Sequence, residues 1–252
     1  MRFELREGWF SFLREPLPSG RASHSPGLCE HYTLLDRSLL PELERSNLDG
    51  TLRWLTPLSP ALDARMVQYR PSGSERARLA TLLPLHIATC RTLGLELPAT
   101  FVELLGSETL QDRFRAPTCC YFELSSRLLP FPEPLGGHLL RFFNDWHGVL
   151  FWYLWLRTGK PATVIASYEC LDDWEPIEEP VLLVASGPLD EFLYRWWIEA
   201  HLVCAFVSRS IILRWYSRLT RRPLRRLTSA ETAYVAALRR LRSGPMPTGS
   251  NA

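Results

Sequence analysis

A carboxylate and an imidazole stand two residues apart at Asp145 and His147, with Trp146 between them. A pair this close can move a proton in general acid–base chemistry. The same residues also read as the polar tip of a turn, with Trp146 folded back onto the body, and that reading is preferred. Cys29-Glu30-His31, with His24 seven residues before His31, is a fragment of a metal-ligand set. Zinc needs four well-placed ligands, and no second Cys/His pair at a usable spacing completes the set. No metal and no cofactor is therefore expected. Cys119-Cys120 reads as two small apolar side chains on opposite faces of a strand. The sequence has no GxSxG, Walker loop, HExxH or GxGxxG, so the strong local enzyme signatures are absent and a non-enzymatic role is expected.

Two charged stretches suit binding better than catalysis. Asp172, Asp173, Trp174, Glu175, Glu178 and Glu179 lie in a loop from Glu169 to Pro180. They give an anionic surface with an apolar anchor, suited to a basic protein partner such as a nuclease with a cationic active site. The alternative is a solvated loop kept soluble by its charge. Arg214, Arg218, Arg221 and Arg225 recur at helical spacing beside Trp215 and Tyr216. They suit the phosphates of nucleic acid or an anionic membrane surface. They equally suit docking on the acidic body of the same molecule, or solvation at a helix end.

The charge distribution sharpens that choice. Of 29 basic and 27 acidic residues, residues 207–252 hold 10 Arg and one acid, Glu231, a balance of +9. The remaining 19 basic and 26 acidic residues leave residues 1–206 at −7. The tail is a different electrostatic object from the body. Hydrophobic content of 46% is enough for a sizeable core. The six cysteines include no CxxC pair, and the charged start of the chain has no apolar signal region, so a reducing cytoplasm is the expected compartment.

The elements that position these residues centre on Gly136 to Arg157. Leu139 to Phe143 and Val149 to Leu156 flank the polar turn Asn144 to Gly148. The second run carries Phe151, Trp152, Tyr153 and Trp155, which fit a pleated surface. Both of its alternating faces are apolar, so it reads as a central strand covered on both sides. Thr158 to Pro161 is a second turn, Ala162 to Ser167 the next strand, and Val181 to Val184 a further one. A strand is expected at Cys119 to Leu124, and Pro130, Pro132 and Pro134 are expected to forbid regular structure after it.

Helices flank this sheet. Ser74 to Leu93 keeps helical spacing, and Pro84 is expected to kink or split it. Leu97 to Gly106 reads as a shorter helix, and a short helix is allowed between Leu52 and Tyr69. From Gly187, with Pro188 at the first helical position, Leu189, Phe192, Leu193, Trp196, Ala200, Val203, Val207 and Ile211 form one apolar stripe. Glu191, Arg195 and Glu199 sit four apart on another face, where they can pair. Thr228 and Glu231 make a capping box for a last helix near Ser229 to Leu241. Phe3, Leu5, Trp9, Phe10 and Phe12 are too apolar for a free tail and are expected to pack on the body. The fold class expected is α+β: an antiparallel sheet with a long, aromatic-rich central hairpin, backed by helices, plus a C-terminal helical extension.

The ordered set LPATFVELLG (Leu97 to Gly106), CYFEL, LLRFFNDWHGVLFWYLWL, ATVIAS and LDEFLYRWW (Leu189 to Trp197) resembles the SUKH superfamily, which includes yeast cell-wall synthesis regulators and many bacterial immunity proteins. The resemblance covers roughly residues 75–206, with 1–74 an N-terminal extension packed on the body and 207–252 a basic helical extension. It implies a sheet backed by helices and a non-enzymatic binding role, often neutralising a toxin domain. Members bind very different partners, so the fold does not name the target.

Overall fold

In the computed structural model of the protein, the described residues are 4–11, 32–37, 40–66, 71–115, 120–131, 133, 135–172, 181–206 and 227–243. Nine strands alternate with six helices among them, in an α+β arrangement. The strands are β1 (Glu4–Glu7), β2 (Trp9–Ser11), β3 (Thr33–Leu35), β4 (Tyr121–Phe122), β5 (Leu129–Pro130), β6 (His138–Asn144), β7 (Phe151–Arg157), β8 (Lys160–Ser167) and β9 (Val181–Ser186). The helices are α1 (Pro60–Met66), α2 (Gly73–Thr92), α3 (Ala99–Gly106), α4 (Glu108–Arg113), α5 (Leu189–Phe206) and α6 (Ser229–Ser243).

The main sheet has the order β1-β9-β8-β7-β6-β4, with β5 also paired to β6. The aromatic run expected to be central is β7, flanked by β6 and β8 in antiparallel register. Alternation splits its side chains between two apolar layers. Trp152, Leu154 and Leu156 face the main core, while Tyr153 and Trp155 face a second cluster with Leu139, Ile165, Leu171 and Leu182. Covering both faces is what lets a strand be apolar at every position.

The main core is aromatic. Trp196 of α5 meets Phe143 and Trp152 edge-on, each at 5.0 Å between ring centroids, and Phe101 of α3 meets Phe142 at 5.9 Å. Edge-to-face packing sets the positive rim of one ring against the negative face of the next. Phe142 and Phe143 are consecutive, yet both enter this core. A β-bulge explains it: Arg141 pairs with Tyr153, and the next pair is Phe143 with Trp152. The extra residue shifts the alternation by one.

Pro84 does not split α2, which runs unbroken from Gly73 to Thr92. Both Pro84 and Ala80, whose carbonyl loses its donor, are exposed, so water can take the place of the missing amide. Ser72 and Glu75 close a capping box at its start. Pro130 pairs with His138 in β5, so regular structure is interrupted later than the prolines suggest. The expected strand before it shrinks to β4, although Glu123 and Ser125 still donate to Phe142 and Arg141 carbonyls at 3.1 Å. Helix α5 begins at Leu189, one residue beyond Pro188, whose carbonyl accepts from Phe192.

The described parts of both flanking segments are built into the body. β1 runs parallel to β9 and forms the sheet edge, and Trp9 of β2 is buried against Phe192 and Trp196. Tyr234 and Val235 of α6 join the main core. The joint between them is Glu199, which is fully buried. It accepts hydrogen bonds from Trp9 Nε1 (2.9 Å), Ser11 Oγ (2.9 Å) and the Tyr234 hydroxyl (2.7 Å). Arg195 does pair with Glu191, at 3.2 Å, as expected. Glu199 leaves that surface face because α5 is covered nearly all round. Burial pushes its carboxyl above the ordinary range, opposed in part by the three donors and by Arg195. The capping box of Thr228 and Glu231 forms as expected, at 3.2 and 2.8 Å. Among the described residues no helix is long and apolar enough to cross a membrane.

Candidate protein-binding site

Strand register brings two of the expected features to one end of the sheet. Asn144 pairs with Phe151, Phe151 with Ser167 and Ser167 with Leu182. The tip 145–150 and the acidic connection between β8 and β9 therefore leave the sheet side by side. Tyr121 of β4, opposite Asn144, lies at the same end.

The tip is held from beneath. Asp145 Oδ1 accepts from the His147 backbone N–H at 2.8 Å, Gly148 N–H donates to the Asp145 carbonyl at 3.0 Å, and Gly148 takes a left-handed φ of 65°. A short acidic side chain that closes its own turn explains why Asp sits there. Asp145 Oδ2 accepts from the Tyr32 hydroxyl at 2.6 Å, and the Tyr32 hydroxyl oxygen lies 3.1 Å from Cys120 Sγ. Burial, then the nearby Cys120 and Asp145, push the Tyr32 hydroxyl well above its ordinary pKa. His147 Nδ1 lies 3.4 Å from Asp145 Oδ1, but the Asp145 side chain is only 1% exposed. Oδ1 closes the turn and Oδ2 bonds Tyr32, so both carboxylate oxygens are engaged in holding the tip. Trp146 does not fold back onto the body. It is 69% exposed and leans edge-on toward Tyr121 at 6.1 Å. The Asp145 side chain takes the buried side of the turn and the Trp146 ring the exposed side.

The acidic connection is rooted on the outer sheet face. Leu171 N–H donates to the Tyr153 hydroxyl at 2.8 Å, and Arg141 holds Asp172 Oδ2 through Nε and a terminal nitrogen, each at 2.7 Å. The other arm of Arg141 reaches Glu123 at 2.7 Å, and Glu123 also accepts from Asn144 and Arg78. Burial opposes the Arg141 charge, but the bonds to Asp172 and Glu123 outweigh it and raise its pKa. Burial also raises the Tyr153 hydroxyl. The bulge matters here: strict alternation would turn Asn144 toward the main core, whereas the shifted register sets it beside Glu123.

Of the residues expected to bind a partner, Asp172 is thus engaged within the chain. Asp173, Trp174, Glu175, Glu178 and Glu179 lie outside the described residues, as do Arg214, Arg218, Arg221 and Arg225, and Cys29, His31, His24 and Cys119. Among the described residues no group of three or more His, Cys, Asp or Glu side chains is placed to hold a metal ion. Sequence reading missed Arg141, Glu123 and Tyr32. Arg141 had a legible signal, as the one charge inside the apolar run Leu139 to Phe143; Tyr32 had none. Compared with known proteins, the chain matches no family model, no curated protein and no solved structure.

Proposed function

We propose that the chain is a cytoplasmic, non-enzymatic protein-binding module of SUKH type that takes a basic protein partner, with a toxin domain that it neutralises as the leading case. The observation that carries this reading is Trp146, exposed at the tip of a braced hairpin and issuing from the same sheet end as the acidic connection. An exposed tryptophan at the sheet end from which the acidic connection departs offers the apolar anchor of a binding hot spot, and the acidic sequence that follows suits a basic partner. Further support comes from the resembling segments, which fold in their sequence order as α3, β4, β6, β7, β8 and α5 around one core.

The test is a tagged pull-down from the native host with the full chain, with Trp146→Ala, and with Asp173→Lys/Glu175→Lys. One basic protein recovered by the full chain and lost from both variants is the expected result. Recovery of nucleic acid or lipid alone, lost on changing Arg214, Arg218, Arg221 and Arg225 to Gln, overturns it in favour of the arginine stripe. Equal recovery of a protein by all three chains moves the binding surface elsewhere.

A further inference from the structure

The opposite end of the sheet carries an open pocket of about 360 Å³ where Gly136 and Gly137 lead into β6 beside the β7–β8 turn. Its polar side carries His138, Arg157 and Lys160, and its apolar side Leu93, Leu95 and Leu135. The wall is tightly built. The Arg157 guanidinium carbon lies 3.7 Å from the Trp155 ring centroid, and a terminal nitrogen donates to Thr163 Oγ1 at 3.2 Å. Trp155 Nε1 in turn donates to the Gly136 carbonyl at 2.8 Å. A Cβ on Gly137 would lie 2.4 Å from the Leu156 carbonyl oxygen and 2.7 Å from Arg157 Cγ, so only glycine permits this approach.

We propose that this pocket binds a small monocarboxylate with an apolar tail. Arg157 is stacked and oriented, yet among the described residues neither it nor Lys160 has a carboxylate partner. Guanidinium is the group suited to planar, two-oxygen recognition. Two cations against the single carboxylate of Glu133 match one negative charge, which favours a carboxylate over a phosphate dianion. The three leucines give the tail an apolar wall, and the volume lies at the small end of ligand cavities. This site is independent of the protein-binding end.

The test is calorimetric and NMR titration of the full chain with hexanoate, 1-hexanol and butyl phosphate. Hexanoate is expected to saturate, with cross-peak shifts centred on Gly136, Gly137 and Arg157. The alcohol and the phosphate are expected to bind at least about tenfold more weakly, the effect of losing a charge-assisted bond or of meeting excess negative charge. Arg157→Gln should weaken hexanoate at least about tenfold. Leu93→Asp tests the same point without touching the core, since Leu93 is 43% exposed, and should weaken it comparably. Failure of hexanoate to saturate below about 10 mM overturns the proposal. Equal binding of butyl phosphate, or unchanged binding in both variants, also overturns it.

Discussion

The Tyr234 hydroxyl donates to Glu199 Oε1 at 2.7 Å, and through that bond α6 is tied to the middle of α5. Trp9 and Ser11 bring β2 to the same carboxylate. Removing it strands three buried donors at once. Glu199→Ala is expected to cost about 3–5 kcal/mol, the range for breaking a buried, paired charge, read from urea unfolding. Truncation after residue 206 removes Tyr234 and should destabilise the body in the same sense.

Glu199 also sets a pH dependence. A carboxyl raised in the fold favours folding fully below its unfolded pKa, and loses that contribution as pH rises through its folded pKa. Glu199→Gln keeps an acceptor and removes the titration. Relative to wild type, the melting temperature of Glu199→Gln is expected to climb through the pH window that opens above the ordinary carboxyl pKa. A constant gap across that window assigns the dependence to other groups.

Arg141 is the clasp of the acidic connection. Glu123, Asp172 and Arg141 are 19%, 15% and 9% exposed at the side chain, so the pairs are poorly screened. Arg141→Met is expected to cost about 3 kcal/mol by leaving Asp172 without its cation and Glu123 with Arg78 alone. Amide exchange should speed up at Leu171 and Asp172 before it does in α5.

The two tight glycines should differ. Gly137 has a left-handed φ of 85° and backbone 2.4 Å from a notional Cβ, whereas Gly148 (φ 65°) has only Phe151 Cζ at 4.0 Å. Gly148→Ala is expected to cost about 1 kcal/mol from backbone conformation alone. Gly137→Ala adds a clash with main chain that cannot rotate away, and should cost at least about twice as much by thermal unfolding.

Trp146→Ala should separate binding from folding. A side chain this exposed contributes within about 0.5 kcal/mol to stability, so the melting temperature should hardly move. Partner affinity is expected to fall by about 2 kcal/mol or more, roughly 30-fold, in a direct binding measurement.

The central hairpin was legible because β7 is apolar on both faces, a pattern with few other solutions. The capping box at Thr228 and the apolar stripe of α5 were legible because both depend on spacing of three or four residues. Glu199 was not. Its spacing from Arg195 announces a surface pair, and its true partners lie 190, 188 and 35 residues away. The bulge at Phe142 was invisible for a related reason: Phe-Phe fits either register, and only the partner strand decides between them. Pro84 misled because a proline's effect depends on whether the carbonyl it orphans faces water. At the tip, composition gave the turn but not the direction of the Trp146 ring, which depends on Tyr121 and on the carboxylate beneath.

The parallel pairing of β1 with β9 bears on how the chain is made. β1 and Trp9 leave the ribosome 177 to 190 residues ahead of β9 and Glu199, counting Glu4 to Val181 and Trp9 to Glu199. At roughly 5–20 residues per second, an open strand and an unshielded indole wait on the order of ten to forty seconds for their partners. Nascent chains therefore present a sticky segment until β9 and α5 emerge to cover it. Yield in cells should accordingly depend on chaperone supply and translation speed more than the finished molecule's stability would suggest.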